Sequence, residues 1–321
     1  MGIQNPREVY GRTLVELGRE NPKIVVLEAD LGKSTMSCYF EQEFPDRFFE
    51  MGIAEANMTS FAAGLSLAGK IPFTNSFAVF AAGRAFDQIR QGICIPALNV
   101  RIVGSSCGLS DFGDGSTHQS VEDVAIMRAI PNMTVLVPAD GNETRTMTRA
   151  LAGYQGPVYM RITRNDMPDV MPEDEPFVIG KPHLIRQGTD VVLFGNGQMV
   201  SVAITAAEML KGEGISLRVV NVSSMKPADK NALAALAQGM KGVVTAEEHS
   251  LIGGLASLIR EVLQGQPTPI RSIGINDRFG QSAHSYEDLL NAYGLTAQHL
   301  AAAVRDISKS GMSHTSADFR K

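Results

Sequence analysis

Met51-Gly-Ile-Ala-Glu-Ala-Asn-Met58 places Glu55 in an apolar, small-residue context that continues as Ser60-Phe-Ala-Ala-Gly-Leu-Ser-Leu-Ala-Gly69. A carboxyl in that setting has two readings. One is an acid in the first turn of a helix, where the macrodipole favours negative charge, and pattern alone prefers it. The other is a buried carboxyl whose pKa is raised by desolvation and which exchanges a proton with a bound base. Pro72-Phe-Thr-Asn-Ser-Phe-Ala-Val-Phe80 follows, with Phe77 and Phe80 three positions apart. That spacing usually marks core, and it also makes a stacking platform for a flat heteroaromatic ring. Ser105 to His118 is rich in Gly, Ser and Asp after a strand-like run, as active-site loops often are. A lone histidine in such a loop is more often a surface residue than a catalyst. Gly113-Asp-Gly115 with Asn142 beyond it has the residue types of a diphosphate–Mg²⁺ site, because Asp and Asn offer hard oxygen ligands. Gly-Asp-Gly is also a common turn sequence, and Asn142 lies inside a helix-capping pattern, so no metal site is assigned in this chain.

Elements of two kinds must position these residues. β-branched runs at Ile24–Glu28, Pro72–Ser76, Asn99–Gly104, Thr134–Val137 and Val158–Ile162 read as strands. Between them, Pro6–Arg19, Glu55–Leu67, Ala81–Gly92, Ser120–Ala129 and Gly141–Ala152 read as helices. Asp140-Gly-Asn-Glu143 has the form of a capping box at the start of the last of these. Alternating βα units predict a parallel sheet covered on both faces. Met171-Pro-Glu-Asp-Glu-Pro176 is acidic and proline-containing and reads as a linker or surface loop. A second series follows, with strands at Asp190–Gly195, Ser216–Val222, Gly242–Glu247 and Pro269–Ile273 and helices at Ser201–Lys211 and Leu251–Leu263. The expected fold is α/β, with two doubly wound, mostly parallel-sheet domains over 1–170 and 187–309, a linker over 171–186 and a disordered tail over 310–321.

Composition excludes several function classes. The chain has 321 residues, 44% hydrophobic and 20% charged, enough for a sizeable core in about two domains. Its 29 basic and 34 acidic residues leave a net charge of −5, without the Lys/Arg surplus that general nucleic-acid binding requires. Cys38, Cys94 and Cys107 have no metal-ligand spacing and cannot all pair, which suits free thiols in a cytoplasmic protein. No apolar run reaches membrane-spanning length. The N-terminal residues carry no signal-like apolar region, and Pro6 stands where a myristoylation signal wants Ser or Thr. The expectation is a chain that starts at residue 1 in the cytoplasm.

Taken together and in order, these segments resemble the transketolase family. Asn5-Pro-Arg-Glu-Val-Tyr-Gly11, Glu28-Ala-Asp-Leu31, Ser34-Thr35, Phe44-Pro-Asp-Arg-Phe48, Gly52-Ile-Ala-Glu-Ala-Asn-Met58, Arg84-Ala-Phe-Asp-Gln-Ile-Arg90, Gly113-Asp-Gly115, His118-Gln119 and Ile130-Pro-Asn-Met133 all look like that family. So does Glu247-Glu-His249 with Gly253-Gly254. The resemblance spans roughly residues 5 to 308 and covers only the pyrimidine-binding and C-terminal domains of a full-length member. It implies the C-terminal subunit of a split transketolase, working with thiamine diphosphate and with Mg²⁺ or another divalent ion held by a separate N-terminal subunit.

The same resemblance implies roles residue by residue. Glu55 matches the glutamate that contacts N1′ of the aminopyrimidine and sets its protonation state. Phe80 matches the aromatic residue stacked on that ring, Phe77 lines the pocket, and Asp30 and Leu31 form the turn beside the cofactor. Asp114 matches a donor-sugar hydroxyl contact, and His118 a histidine near the substrate carbonyl. Arg7, Ser34 and Arg164 match a sugar-phosphate clamp, a task suited to planar guanidinium donors. The fourth clamp position, usually histidine, is Ser106. The usual Gly-Glu-Asp-Gly reads Phe112-Gly113-Asp114-Gly115, so a remodelled substrate loop is expected, with a sugar phosphate other than or beyond the common pentose and heptose phosphates.

The implied reaction is transfer of a two-carbon ketol unit from a ketose phosphate to an aldose acceptor. The implied assembly is α₂β₂, self-associating through the pyrimidine-binding domain, with no nucleic-acid or membrane partner. The nearest rival is the β subunit of a 2-oxoacid dehydrogenase, which shares the two domains and the glutamate but has no sugar phosphate to grip. A rival from another class is a non-catalytic paralogue acting as an assembly module, against which Glu55, Phe80, Asp114 and His118 stand.

Overall fold

The computed structural model describes residues 2–310. In chain order its strands are β1 (Ile3–Gln4), β2 (Ile24–Glu28), β3 (Phe48–Glu50), β4 (Ile71–Phe77), β5 (Arg101–Ser105), β6 (Thr134–Leu136), β7 (Val158–Arg161), β8 (Met167–Pro168), β9 (His183–Arg186), β10 (Val191–Gly195), β11 (Leu217–Asn221), β12 (Ser224–Lys226), β13 (Gly242–Ser250) and β14 (Ile270–Ile275). Two larger sheets result, ordered β12-β6-β7-β5-β4-β2-β3 and β14-β13-β10-β11-β9, besides a short β1-β8 pair. Every pairing in the two larger sheets is parallel except those of β12 with β6 and of β9 with β11. The expected doubly wound α/β architecture is therefore present in both halves.

The central strands are buried along their whole length, as a sheet covered on both faces requires. Helices Pro6–Glu20 and Gly141–Gly153 cover one face of the first sheet, packing Leu14, Leu17, Met147 and Leu151 against Ile24, Val26, Phe73 and Val103. Helices Met199–Lys211 and Ala297–Ser310 cover the outer face of the second. One continuous apolar cluster joins the halves, running from Val25 and Ile102 to Val192, Val220 and Val243. The tail over 311–321 lies outside the described residues.

Several elements depart from expectation. The helix expected over 81–92 is two π-helical turns, Phe80–Arg84 and Ile89–Cys94, around a short Phe86–Gln88 segment. Such widened turns recur at functional sites. The helix expected from Leu251 begins at Leu255, because the Glu247 carboxylate accepts the Leu255 and Ala256 amides at 2.6 and 2.8 Å and caps it there. β12 leaves the second half of the chain and becomes the edge strand of the first sheet, a pairing no local pattern signals. Strand β3 and helices Gly32–Thr35, Cys38–Glu43, Lys230–Ala237, Tyr286–Ala292 and Ala297–Ser310 were not expected.

Buried polar groups tie the halves together. Asp140 caps its helix through the Glu143 amide, as the sequence predicts, and also accepts the Val170 and Met171 amides at 2.6 Å each. Glu143 turns away from a reciprocal box and accepts Ser223 Oγ at 2.5 Å, the Asn221 side chain at 3.0 Å and the Ala139 amide at 2.6 Å. Glu248 accepts the Leu109 amide and the Tyr286 hydroxyl at 2.6 Å each. Gly108, at φ +60, lies so close to Glu248 that a Cβ would stand 2.5 Å from its oxygen. His249 Nε2 accepts the Ala125 amide, so the proton sits on Nδ1 and goes to Ser250 O at 2.7 Å. Burial lowers its pKa to about 4, so the ring is neutral near pH 7. The Glu247-Glu-His249 run thus does structural work at the junction.

Burial also pushes the Glu143 carboxyl up to about 7, against the opposing donors Ser223, Ala139 and Asn221. The folded chain then binds this proton more tightly than the unfolded chain, whose value is near 4.5. The resulting stability is fully present below about 4.5 and is lost as pH rises through about 7. Glu143→Gln should therefore lose roughly 2 kcal/mol less stability than wild type between pH 5 and pH 8. Urea unfolding at both pH values measures this, and parallel losses in the two proteins would contradict it.

Candidate active site

Strands β7, β5, β4 and β2 are adjacent and parallel, so their carboxyl ends open on one edge of the first sheet. Sites in doubly wound folds form at that edge. Arg164 follows β7, Ser106 and the loop to His118 follow β5, Phe77 ends β4, and Asp30, Leu31 and Ser34 follow β2. Helix Pro6–Glu20 leads into β2, and its N-terminus brings Arg7 to the same edge.

Glu55 stands at a helix start, as its first reading has it, and is buried, as its second requires. It is the first residue of helix Glu55–Leu67, and it is 1% exposed. Arg84 Nη1 donates to Glu55 Oε2 at 2.7 Å, and Ser76 Oγ lies 3.4 Å from Oε1. The Arg84 guanidinium also lies over the Phe80 ring, 4.8 Å from its centroid. Phe77 and Phe80 stack at 14° with centroids 6.2 Å apart. His118 meets both rings edge-on, at 6.2 Å from Phe77 and 5.3 Å from Phe80. Thr117 Oγ1 lies 2.9 Å from His118 Nδ1.

Beside the aromatic group lie the two arginines of the expected clamp. The Asn5 side chain caps the Arg7 amide and donates to Arg164 O at 3.2 Å, which holds the two arginine-bearing segments together. Arg7 Nη1 donates to Ser34 O at 2.8 Å. Burial and the neighbouring Arg164 cation lower the Arg7 pKa, while Asp111 and Asp166 oppose them. Arg164 Nη1 pairs with Asp111 Oδ2 at 3.2 Å, and the Arg164 guanidinium lies over Phe77 at 5.8 Å. Asp30 sits at φ +59, an uncommon conformation, and its amide donates to Glu50 Oε1 at 2.9 Å. Glu50 also accepts the Gly52 amide at 2.8 Å, so one carboxylate sets both the Asp30 turn and the approach to Glu55. Asp114 is exposed on the loop before His118. Ser106 is fully buried at φ +50, and its hydroxyl has no hydrogen-bond partner among the described residues. Asn142 does not join this group: its amide donates to Met171 O and its oxygen accepts from Gln4, both at 2.8 Å.

Asp111, Glu50, Asn5 and Ser76 are the site residues that sequence reasoning did not single out. Arg84 stood in a quoted motif, but nothing local ties it to a carboxylate 29 positions earlier. For Asn5, Asn-Pro ahead of a helix is a readable cap signal, and its reach to Arg164 is not.

The fold and site define an α/β protein with a buried acid, an aromatic platform and paired guanidiniums at one sheet edge. Residues 4–170 match the family described as transketolase, pyrimidine binding domain, and residues 180–300 match transketolase, C-terminal domain. A putative transketolase C-terminal section from Methanocaldococcus jannaschii is 42% identical over 307 residues, covering 94% of this chain and 96% of that protein. The 6-deoxy-6-sulfo-D-fructose transketolase subunit SqwH from Clostridium sp. strain MSTE9 is 40% identical over 304 residues, covering 94% of each. A solved structure titled split gene transketolase, inactive beta4 tetramer, superimposes with a TM-score of 0.86 at 48% identity, covering 95% of this chain and 98% of that one. The chain belongs to the transketolase family. Membership implies a thiamine diphosphate-dependent, transketolase-type function. The residues fit the pyrimidine end of that cofactor, because a buried carboxylate stands beside a stacked aromatic pair. Among the described residues no helix is long and apolar enough to cross a membrane.

Proposed function

We propose that this chain is the C-terminal subunit of a two-chain transketolase that moves a two-carbon ketol unit from a ketose phosphate to an aldose or aldose phosphate. The observation that carries the reading is the grouping of Glu55, Phe77, Phe80, His118, Arg7 and Arg164 at one sheet edge. It stands in a chain aligned nearly end to end with a relative named as a transketolase C-terminal section. When bound, thiamine diphosphate supplies the carbon nucleophile that adds to a ketose carbonyl. Glu55 would contact N1′ of its aminopyrimidine and hold the proton balance there. Phe80 and Phe77 would stack the ring, and Asp30 and Leu31 would flank it. His118 would face the substrate carbonyl, and Asp114 its hydroxyls. Arg7, Ser34, Ser106 and Arg164 would hold the far end of the sugar.

In this reading residues 1–170 form the pyrimidine-binding domain, 171–186 the linker and 187–309 the C-terminal domain. The diphosphate and its Mg²⁺ would be held by a separate N-terminal subunit. Exposed Ile53, Phe61, Leu67 and Ile95 near the Glu55 helix offer an apolar face for self-association, which supports an α₂β₂ assembly. The chain alone, given thiamine diphosphate and Mg²⁺, should show no ketol transfer. Adding the N-terminal subunit should produce turnover that disappears when the cofactor is omitted. Turnover by the chain alone, or cofactor-independent turnover by the pair, would overturn the proposal.

A further inference from the structure

Asp111 changes the charge of the clamp. It is 3% exposed, and its carboxylate pairs with Arg164 Nη1 at 3.2 Å. Its backbone carbonyl accepts the Gly115 amide at 3.2 Å, so it ties the clamp arginine to the turn before His118. Burial raises the Asp111 pKa, and Arg164 acts against that rise. Arg7 already spends Nη1 on Ser34 O and Nε on Asn5 Oδ1, at 2.8 and 3.3 Å. Ser106 brings a hydroxyl and no charge. Two guanidiniums therefore face an entering anion together with a buried carboxylate on one of them. Asp114 and Asp166 add negative charge nearby.

An anion that docks on Arg164 meets the Asp111 carboxylate across the same guanidinium. The repulsion scales with the charge on the anion and is poorly screened in a half-buried cleft. A phosphate monoester carries about −1.5 to −2 at neutral pH. A sulfonate carries one charge, has three acceptor oxygens of similar geometry and can still take the free Arg164 and Arg7 donors.

We propose that Asp111 is a specificity-determining residue that tunes the Arg7–Arg164 cleft toward a sugar whose far end bears a single negative charge, sulfonate-like in shape, over a phosphate dianion. The inference rests on the ketol-transfer reading for the position of the sugar and goes beyond it at the terminal group, where a singly charged end is preferred to the phosphate named there. It makes the paired acid a discriminator, since specificity is a difference of affinities often achieved by a repulsive element.

The test uses the full chain assembled with its N-terminal subunit and cofactor. Fructose 6-phosphate and 6-deoxy-6-sulfofructose are compared as donors by kcat/KM, and their binding is measured by calorimetry, which needs no turnover. The wild-type complex should favour the sulfonate by about fivefold or more, chiefly in KM. Asp111→Asn should move that ratio about tenfold toward the phosphate, and Asp111→Glu should keep the wild-type preference. A wild-type preference for the phosphate, binding of neither sugar, or a ratio unchanged in Asp111→Asn would each overturn the inference. Should Asp111→Asn fail to fold, the wild-type ratio decides. Sulfonate-selective binding without any ketol transfer would keep the inference and remove the proposed reaction. Ketol transfer with the phosphate preferred would do the reverse.

Discussion

Glu55→Gln should lower turnover of the assembled complex by about 10²- to 10⁴-fold, the usual worth of a positioned acid–base group. The fold should barely notice. Glu55 is buried, but Gln keeps its shape and hydrogen-bonding length and removes a charge from an enclosed site. Arg84, its partner, is 46% exposed and can be solvated when the ion pair is lost. The thermal midpoint should therefore stay close to wild type, and the assembly should elute unchanged in size-exclusion chromatography. Glu55→Asp, shorter by one methylene, should recover only part of the activity because the carboxylate retreats from the aromatic platform. Steady-state rates at saturating thiamine diphosphate separate lost chemistry from lost affinity. Activity of Glu55→Gln within about threefold of wild type would remove Glu55 from the proposed role.

The parallel strands were legible because a sheet covered on both faces leaves uninterrupted apolar, β-branched runs such as Ile24-Val-Val-Leu27. Helix Pro6–Glu20 was legible for a local reason as well, since Asn5 caps it and Pro6 opens it. What escaped was decided across space. β12 is three residues long, and its place beside β6 depends on how the halves meet. The true start of helix Leu255–Val262 is set by a carboxylate eight positions upstream. In the candidate site, residue types and order were readable, while pairings were not. Glu55 with Arg84, Arg164 with Asp111 and Asn5 with Arg164 are separated by 29, 53 and 159 positions. Only the closing of the sheet edge brings them together. Asp111 shows the consequence, because an acid in a Ser/Gly-rich loop looks like any turn residue until its arginine is seen.

The largest expected loss of stability is at Arg161, the hub between the two halves. Its Nε bonds both oxygens of the fully buried Asp123, at 3.1 and 2.8 Å. Its Nη2 donates to Ser120 O at 3.1 Å and to Glu248 O in the second half at 2.9 Å. Tyr159 donates to Asp123 Oδ2 at 2.7 Å, so both oxygens of the carboxylate are held. Burial alone would lower the Arg161 pKa, but Asp123, Cys107 and Glu248 raise it above the ordinary arginine value. Arg161→Met should cost about 3–5 kcal/mol, because it strands the Asp123 charge and removes a charged donor from the Ser120 and Glu248 carbonyls. For a chain of this size that is a fall in thermal midpoint on the order of 10 °C. Replacing both partners, as Arg161→Met with Asp123→Leu, removes the stranded charge and should recover part of the loss, so a double-mutant cycle should show strong coupling. The site should respond too, since Arg164 lies three residues beyond Arg161 and the Glu248 contact braces the loop that carries Leu109. Proteolysis of Arg161→Met should therefore expose cleavage between the halves before either half unfolds. If both single variants melted within a degree or two of wild type, the junction would have to be held by the shared apolar cluster alone.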